Sequence, residues 1–176
     1  MHIYISGGCK NGKSHYAQRL AKALGAPLYY LATMIPADQE DEARIVRHVA
    51  DREGWGFETI ECGRSILTAL DHANPAGSFL LDSVTALLAN EMFAPGGFDP
   101  SAPERVAAEL EEFLRRTAHA VLVSDYIFGD AAIYDEMTEA YIAGLAYIDR
   151  RIAAASDALL EVSAGRVICH KGAVSI

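Results

Sequence analysis

The sequence predicts an α/β fold: a mostly parallel sheet with helices on both faces and a C-terminal antiparallel hairpin. Three observations predict it. Short apolar runs alternate with longer amphipathic segments along the chain, as strands do when crossover helices join them. The run Ser78 to Asp82 is apolar almost to its last residue, as a strand covered on both faces is. The last two runs, Ala158 to Val162 and Arg166 to His170, flank Ala164-Gly165, a connection fit for a hairpin and too short for a crossover.

Taken in order, His2 to Ser6 is the first strand. Lys13 to Leu24 is a helix with Ala17, Leu20, Ala21 and Leu24 on one face, stopped by Gly25 and Pro27. Leu28 to Thr33 is extended, Asp38 to Arg52 is a charged helix, Phe57 to Glu61 is extended and Ser65 to His72 is a short helix. Asn74, Pro75 and Gly77 make a turn before the Ser78 strand. Val84 to Phe93 is helical. Ala94 to Ser101, rich in proline and glycine, is a loop. Pro103 to Thr117 is a helix whose proline falls in the first turn, where a missing N–H costs nothing. Ala120 to Ser124 is a further strand and Tyr134 to Ala155 a long helix.

The 176 residues form one domain, residues 1–176, with no linker or internal repeat. Hydrophobic residues make up 51% of the chain, enough for a sizeable core and too many for a disordered one. A net charge of −9 argues against a nucleic-acid footprint but not against a nucleotide, whose phosphates need only a local positive site. Cys9, Cys62 and Cys169 are scattered and odd in number, so neither a zinc site nor a disulfide framework is implied. With no leader and no apolar run long enough for a membrane span, the expected location is the cytoplasm.

Gly7-Gly8-Cys9-Lys10-Asn11-Gly12-Lys13-Ser14 fits the P-loop pattern G-x-x-x-x-G-K-[ST]. Glycines let successive backbone N–H groups point inward as an anion nest, and the following helix aims its N-terminal dipole at the same point. Lys13 is expected to reach the β- and γ-phosphates of a nucleoside triphosphate, and Ser14 to ligate Mg²⁺. A glycine-rich turn that binds nothing has no need of the strand before it and the helix after it. The sheet and this loop together define a P-loop NTPase of the RecA-like kind. Asp82 ends an apolar strand where the magnesium shell needs a carboxylate; it also stands where a helix N-cap is wanted, and the roles are compatible.

In the charged helix, Asp41, Arg44, His48 and Arg52 recur at spacings of three, four and four and share a face. Ile45, Val46, Val49 and Ala50 form a neighbouring apolar stripe that can dock. Two arginines around a histidine make a phosphate site, and flanking cations favour a neutral imidazole with its lone pair free. On these residues alone, a solvated helix face is the simpler account. His15 packs or caps on the P-loop helix, and His2, His72, His119 and His170 are structural or surface residues.

The order Ala32-Thr33, Asp38, Glu40, Arg44-Ile45, His48 fits the pattern A-T-x4-D-x-E-x3-R-I-x2-H without a gap, and Thr59 with Glu61 fits Thr-x-Glu. On these residues the chain resembles the adenosylcobinamide kinase / adenosylcobinamide-phosphate guanylyltransferase family of cobalamin biosynthesis. The resemblance implies that His48 is a nucleophile that becomes covalently guanylylated. It implies a nucleotide site lined by Ala32, Thr33, Met34, Val49, Ala50, Asp51, Arg52, Glu61 and Asp82. It also implies GTP and ATP as substrates, Mg²⁺ as cofactor, a corrinoid acceptor and a homotrimer. The chain departs from the family where an Asn-Glu-Val-Gly segment is usual: here Ser124-Asp125-Tyr126-Ile127-Phe128-Gly129-Asp130 stands, and Asp125 replaces the lost polar group. Arg44 and Asp125 are therefore candidates for phosphate or acceptor contacts. Alternatives stay open: a divergent member with one of the two activities, another P-loop small-molecule kinase, or a non-catalytic GTP-binding regulator.

Overall fold

The computed structural model describes residues 1–129 and 132–174; the side chains of Arg44 and Asp51 lie outside that description, as does Asp130. The chain runs β1 (His2–Gly7), α1 (Lys13–Leu24), β2 (Leu28–Ala32), α2 (Gln39–Asp51), β3 (Phe57–Glu61), a 3₁₀ helix (Ile66–Asp71), β4 (Ser78–Asp82) and α3 (Val84–Met92). It continues through β5 (Phe93–Ala94), β6 (Gly97–Phe98), α4 (Ala102–Arg116), β7 (His119–Asp125), α5 (Glu136–Ala155), β8 (Ala158–Ser163) and β9 (Arg166–Lys171).

Seven strands form one sheet in the order β3-β2-β4-β7-β1-β8-β9. Among the described residues every pairing in it is parallel except β8 with β9. Strand alternation sorts the side chains onto two faces. Tyr4, Tyr29, Phe79, Leu81 and Leu122 pack with α3, α4 and α5 on one face. There Phe79 stacks on Tyr29 with ring centres 5.0 Å apart and meets Phe113 of α4 edge-on at 5.2 Å. Ile3, Ile5, Tyr30, Leu80, Val121 and Val123 pack on the other face with Ala17, Leu20 and Ala21 of α1. Both faces are covered, as the apolar runs require.

Among the described residues, three helix starts carry side-chain caps. Asp38 caps α2 by accepting from the backbone N–H of Glu40 and Asp41, Ser83 caps α3 through Ala86, and Asp135 caps α5 through Met137 and Thr138. At the other end of α5, the Lys171 ammonium donates to the carbonyls of Ala153, Ala154 and Ser156, at 3.0, 2.8 and 2.6 Å.

Two local expectations change. The Ala94 to Ser101 segment is not simply a loop: Pro95-Gly96 turns β5 back onto β6, and Phe93 and Phe98 come within 5.6 Å across the pair. Gly97 permits this with φ of 112°, which side chains rarely adopt. The apolar stripe of α2 does not dock: Val46 is 67% and Val49 53% exposed. Amphipathic spacing reports which residues share a face, not whether the chain's own sheet covers it.

Candidate active site

The parallel strands deliver their last residues to one edge of the sheet. Gly7 lies level with Asp125, and Ala32 with Asp82. A cavity of about 470 Å³ opens there, and ligands of open α/β sheets bind outside that edge. Its wall includes Cys9, Lys10, Asn11, Gly12, Lys13, Ser14, Ala32, Met34, His48, Arg52, Asp82 and Asp125. Residues far apart in sequence thus meet because β2, β4 and β7 end beside the loop that follows β1.

The loop is held from below. Asn11 donates from its side-chain amide to the Val162 carbonyl of β8 and accepts from the Lys13 backbone N–H at 3.1 Å. A side chain at Gly7 would collide with that same carbonyl, so glycine is required by the close approach of two backbones. Gly12 enters α1 with φ of 89° and no side chain caps the helix start, which leaves the positive end of α1 directed at the cavity. Gly7 and Gly8 shape the loop without lining the cavity. The Lys13 ammonium, itself buried, donates to the Gly8 carbonyl at 3.1 Å and pairs with Asp125 at 2.5 Å.

The opposite wall is α2, and Arg52 fixes it. Its guanidinium lies 3.5 Å from the Tyr30 ring centre and donates to the His48 carbonyl at 2.8 Å and to Thr59 at 3.3 Å. Tyr30 in turn donates to Asp82 at 3.1 Å. A chain of contacts therefore runs from the sheet edge through Tyr30 and Arg52 to the backbone of His48. Of the two arginines expected to flank His48, the Arg44 side chain lies outside the described residues, and Arg52 is not a free phosphate donor. Arg52 is a buried strut whose two terminal amino groups are engaged, and Arg47 lines the cavity with it beside His48.

Other expected residues fall elsewhere. Thr33 is buried and clips β2 to the turn after β4, donating to the Ser83 carbonyl at 2.9 Å and accepting from its N–H at 2.7 Å. Val49 and Ala50 are exposed and do not line the cavity, because they lie on the face of α2 turned from it. Glu61 is exposed at the end of β3, level with Ala32, one strand too far out to line it. Asp51 and Arg44, as side chains, lie outside the described residues. Asp82 is also not on the strand beside β1. β7 lies between, so Asp125 is the nearer carboxylate.

Ser14 and Asp82 both line the cavity and offer only oxygen donors. Among the described residues no group of three His, Cys, Asp or Glu side chains gathers as a metal cage. That donor set fits Mg²⁺, which takes one or two protein oxygens and completes its shell with water and phosphate oxygens.

Beneath the edge lies a polar network. Thr85 accepts from the Asp125 backbone N–H at 2.8 Å and lies 3.5 Å from the Ser124 hydroxyl, which donates to Asp149 at 3.1 Å. Burial pushes Asp149 up to about 6, and its hydrogen bonds only partly offset that.

The family described as cobinamide kinase / cobinamide phosphate guanyltransferase (CobU) matches residues 3–169. The chain belongs to that family. This family member is 30% identical to the "Bifunctional adenosylcobalamin biosynthesis protein CobU" of Salmonella typhimurium, over 94% of the chain and 97% of that protein. It is 33% identical to the Escherichia coli protein of the same description, over 72% and 76%, and 28% identical to the "Bifunctional adenosylcobalamin biosynthesis protein CobP" of Pseudomonas aeruginosa, over 98% of both. A solved ATPase from the type III secretion system of pathogenic bacteria aligns with 92% of the chain and 51% of its own, at 14% identity and a TM-score of 0.47. The enzyme is a transferase, and its P-loop and sheet give it a nucleotide-using α/β fold.

Sequence reasoning missed His15, Gln18, Tyr30, Glu40, Arg47 and Ser83 as lining residues of this family member. Glu40 stood in the quoted motif, and Tyr30 left a signal of its own: adjacent Tyr29 and Tyr30 in one strand must face opposite ways, so one of them leaves the main core.

Proposed function

We propose that this chain phosphorylates adenosylcobinamide and then transfers GMP from GTP to adenosylcobinamide phosphate through a guanylylated His48. The observation that carries it is the placement of His48 and Lys13 on facing walls of one cavity, with α2 fixed to the sheet edge through Arg52 and Tyr30. A P-loop without a facing nucleophile supports phosphoryl transfer alone.

In the kinase step, Lys13 and the α1 N-terminus hold the β- and γ-phosphates while the acceptor hydroxyl attacks the γ-phosphorus; positioning and charge neutralisation supply most of the catalysis. In the guanylyl step, the His48 imidazole attacks the α-phosphorus of GTP and pyrophosphate leaves, so one hard transfer becomes two easier ones. The phosphate of adenosylcobinamide phosphate then displaces His48. Arg47 is placed to offset charge on the transferring group, with Arg44 a further candidate on the same helix. Mg²⁺, held by Ser14 and Asp82, would neutralise charge on the triphosphate oxygens. ATP or GTP serves the kinase step. The proposal extends to a homotrimer in the cytoplasm: exposed Val46 and Val49 offer apolar surface to a second copy, and all three cysteines are free.

With α-labelled GTP and Mg²⁺, the protein should acquire acid-labile label. His48→Ala should abolish it while nucleotide binding persists; a variant that labels like wild type removes His48 as the nucleophile. The altered segment beginning Ser124-Asp125 favours one second reading, a member that retains a single activity, and assaying the two steps separately decides between them.

A further inference from the structure

We propose that Asp125 takes the proton of the acceptor hydroxyl in the kinase half-reaction and has no part in the guanylyl half. This rests on the bifunctional reading above and divides two chemistries that share a cavity.

Among the described residues, the carboxylates lining the cavity are Glu40, Asp82 and Asp125. Glu40 is exposed in the first turn of α2, on the wall opposite the P-loop. Asp82 already accepts from Tyr30 and is the carboxylate assigned with Ser14 to magnesium. Asp125 stands on the strand beside β1, level with Gly7, and touches the ammonium that must grip the γ-phosphate. Whatever approaches the phosphorus held by Lys13 therefore approaches Asp125. The carboxylate is also well placed in the fold. Its own N–H is fixed by Thr85, and the Thr85 carbonyl accepts from Tyr141 of α5 at 2.9 Å. Its side chain is 22% exposed, which leaves it open to the cavity.

The chemistry distinguishes the halves. In phosphoryl transfer the hydroxyl oxygen bonds to the γ-phosphorus. The bond to the β,γ-bridging oxygen breaks, and its electron pair leaves with the nucleoside diphosphate. The hydroxyl proton must then go to a base, and a positioned base contributes about 10²- to 10⁴-fold. In guanylyl transfer neither attacking atom carries a proton: first a lone pair of neutral imidazole, then a phosphate oxyanion. Entry of the triphosphate draws Lys13 toward the phosphates and loosens its pairing with Asp125, so the carboxylate is released as the γ-phosphorus arrives.

The test compares wild type, Asp125→Asn and Asp125→Glu in two assays. One follows γ-labelled nucleotide to adenosylcobinamide; the other follows retention of label from α-labelled GTP, which also reports that each variant folds. Asp125→Asn should lower phosphoryl transfer about a hundredfold or more and lose the acid limb of its pH profile, while GMP labelling changes by less than about threefold. Asp125→Glu, which keeps a carboxylate, should recover at least about tenfold of the loss. Phosphoryl transfer by Asp125→Asn within about threefold of wild type overturns the proposal. So does an equal fall in both assays, which would mean that Asp125 acts only through the grip of Lys13. If wild type labels with GMP but phosphorylates no adenosylcobinamide, the bifunctional reading itself fails and takes this one with it. That defect shows in wild type, so it is separable from a defect confined to the variants.

Discussion

Asp149 shows how one buried carboxylate sets a pH response. Its folded-state value lies near 6, above the ordinary carboxylate range, so the folded chain holds the proton more tightly than the unfolded chain. Its contribution is therefore fully present below pH ~4, falls as pH rises to ~6 and is level above that. Unfolding free energies measured across this window should fall in wild type relative to Asp149→Asn by on the order of 1–2 kcal/mol, allowing for solvent screening. Parallel curves would show that Asp149 titrates normally. At the same scale, Lys13, His48, Asp82 and Asp125 were named from the sequence and line one cavity. The role of Arg52 as a strut was not legible. Spacing on a helix tells which residues share a face, while the partners that bury Arg52, the Tyr30 ring and Thr59, lie on strands whose positions spacing does not give.

Helix against helix, α4 and α5 meet at Gly144. A Cβ there would stand 2.6 Å from Cγ of Pro103, a ring in the first turn of α4 that cannot swing aside. Gly144→Ala should destabilise the fold by about 1–3 kcal/mol through overpacking and lower the Tm by several degrees. An unchanged melting curve would mean that the helices separate at no cost. The elements themselves were largely legible, because each long one carries its own period. The β5–β6 pair was not, since strands of two residues are too short for alternation and Pro95-Gly96-Gly97 reads equally as loop.

For the molecule as a whole, alternation of strands and helices announced the parallel sheet, but strand order did not follow from it. Order is decided by which crossovers pack, and β7, late in the chain, slips between β1 and β4. That insertion is why Asp125, rather than Asp82, sits nearest Lys13. Bound nucleotide joins walls contributed by β1, α2, β4 and β7, so it should stabilise all of them together. At about 100 times its Kd, Mg·GTP should add ~2.7 kcal/mol, seen as one cooperative rise in Tm that His48→Ala retains. A shift without cooperativity would mean that the walls melt separately. The position of β1 has a consequence for synthesis. It carries the P-loop, yet its backbone partners β7 and β8 come late: the Met1 amine bonds to a carbonyl 117 residues further on. At ribosomal rates that wait is on the order of ten seconds, with an apolar strand and its loop unpaired. The loop that defines the enzyme is made well before the strands that flank it, so nucleotide cannot act as a template for folding until β7 and β8 have emerged.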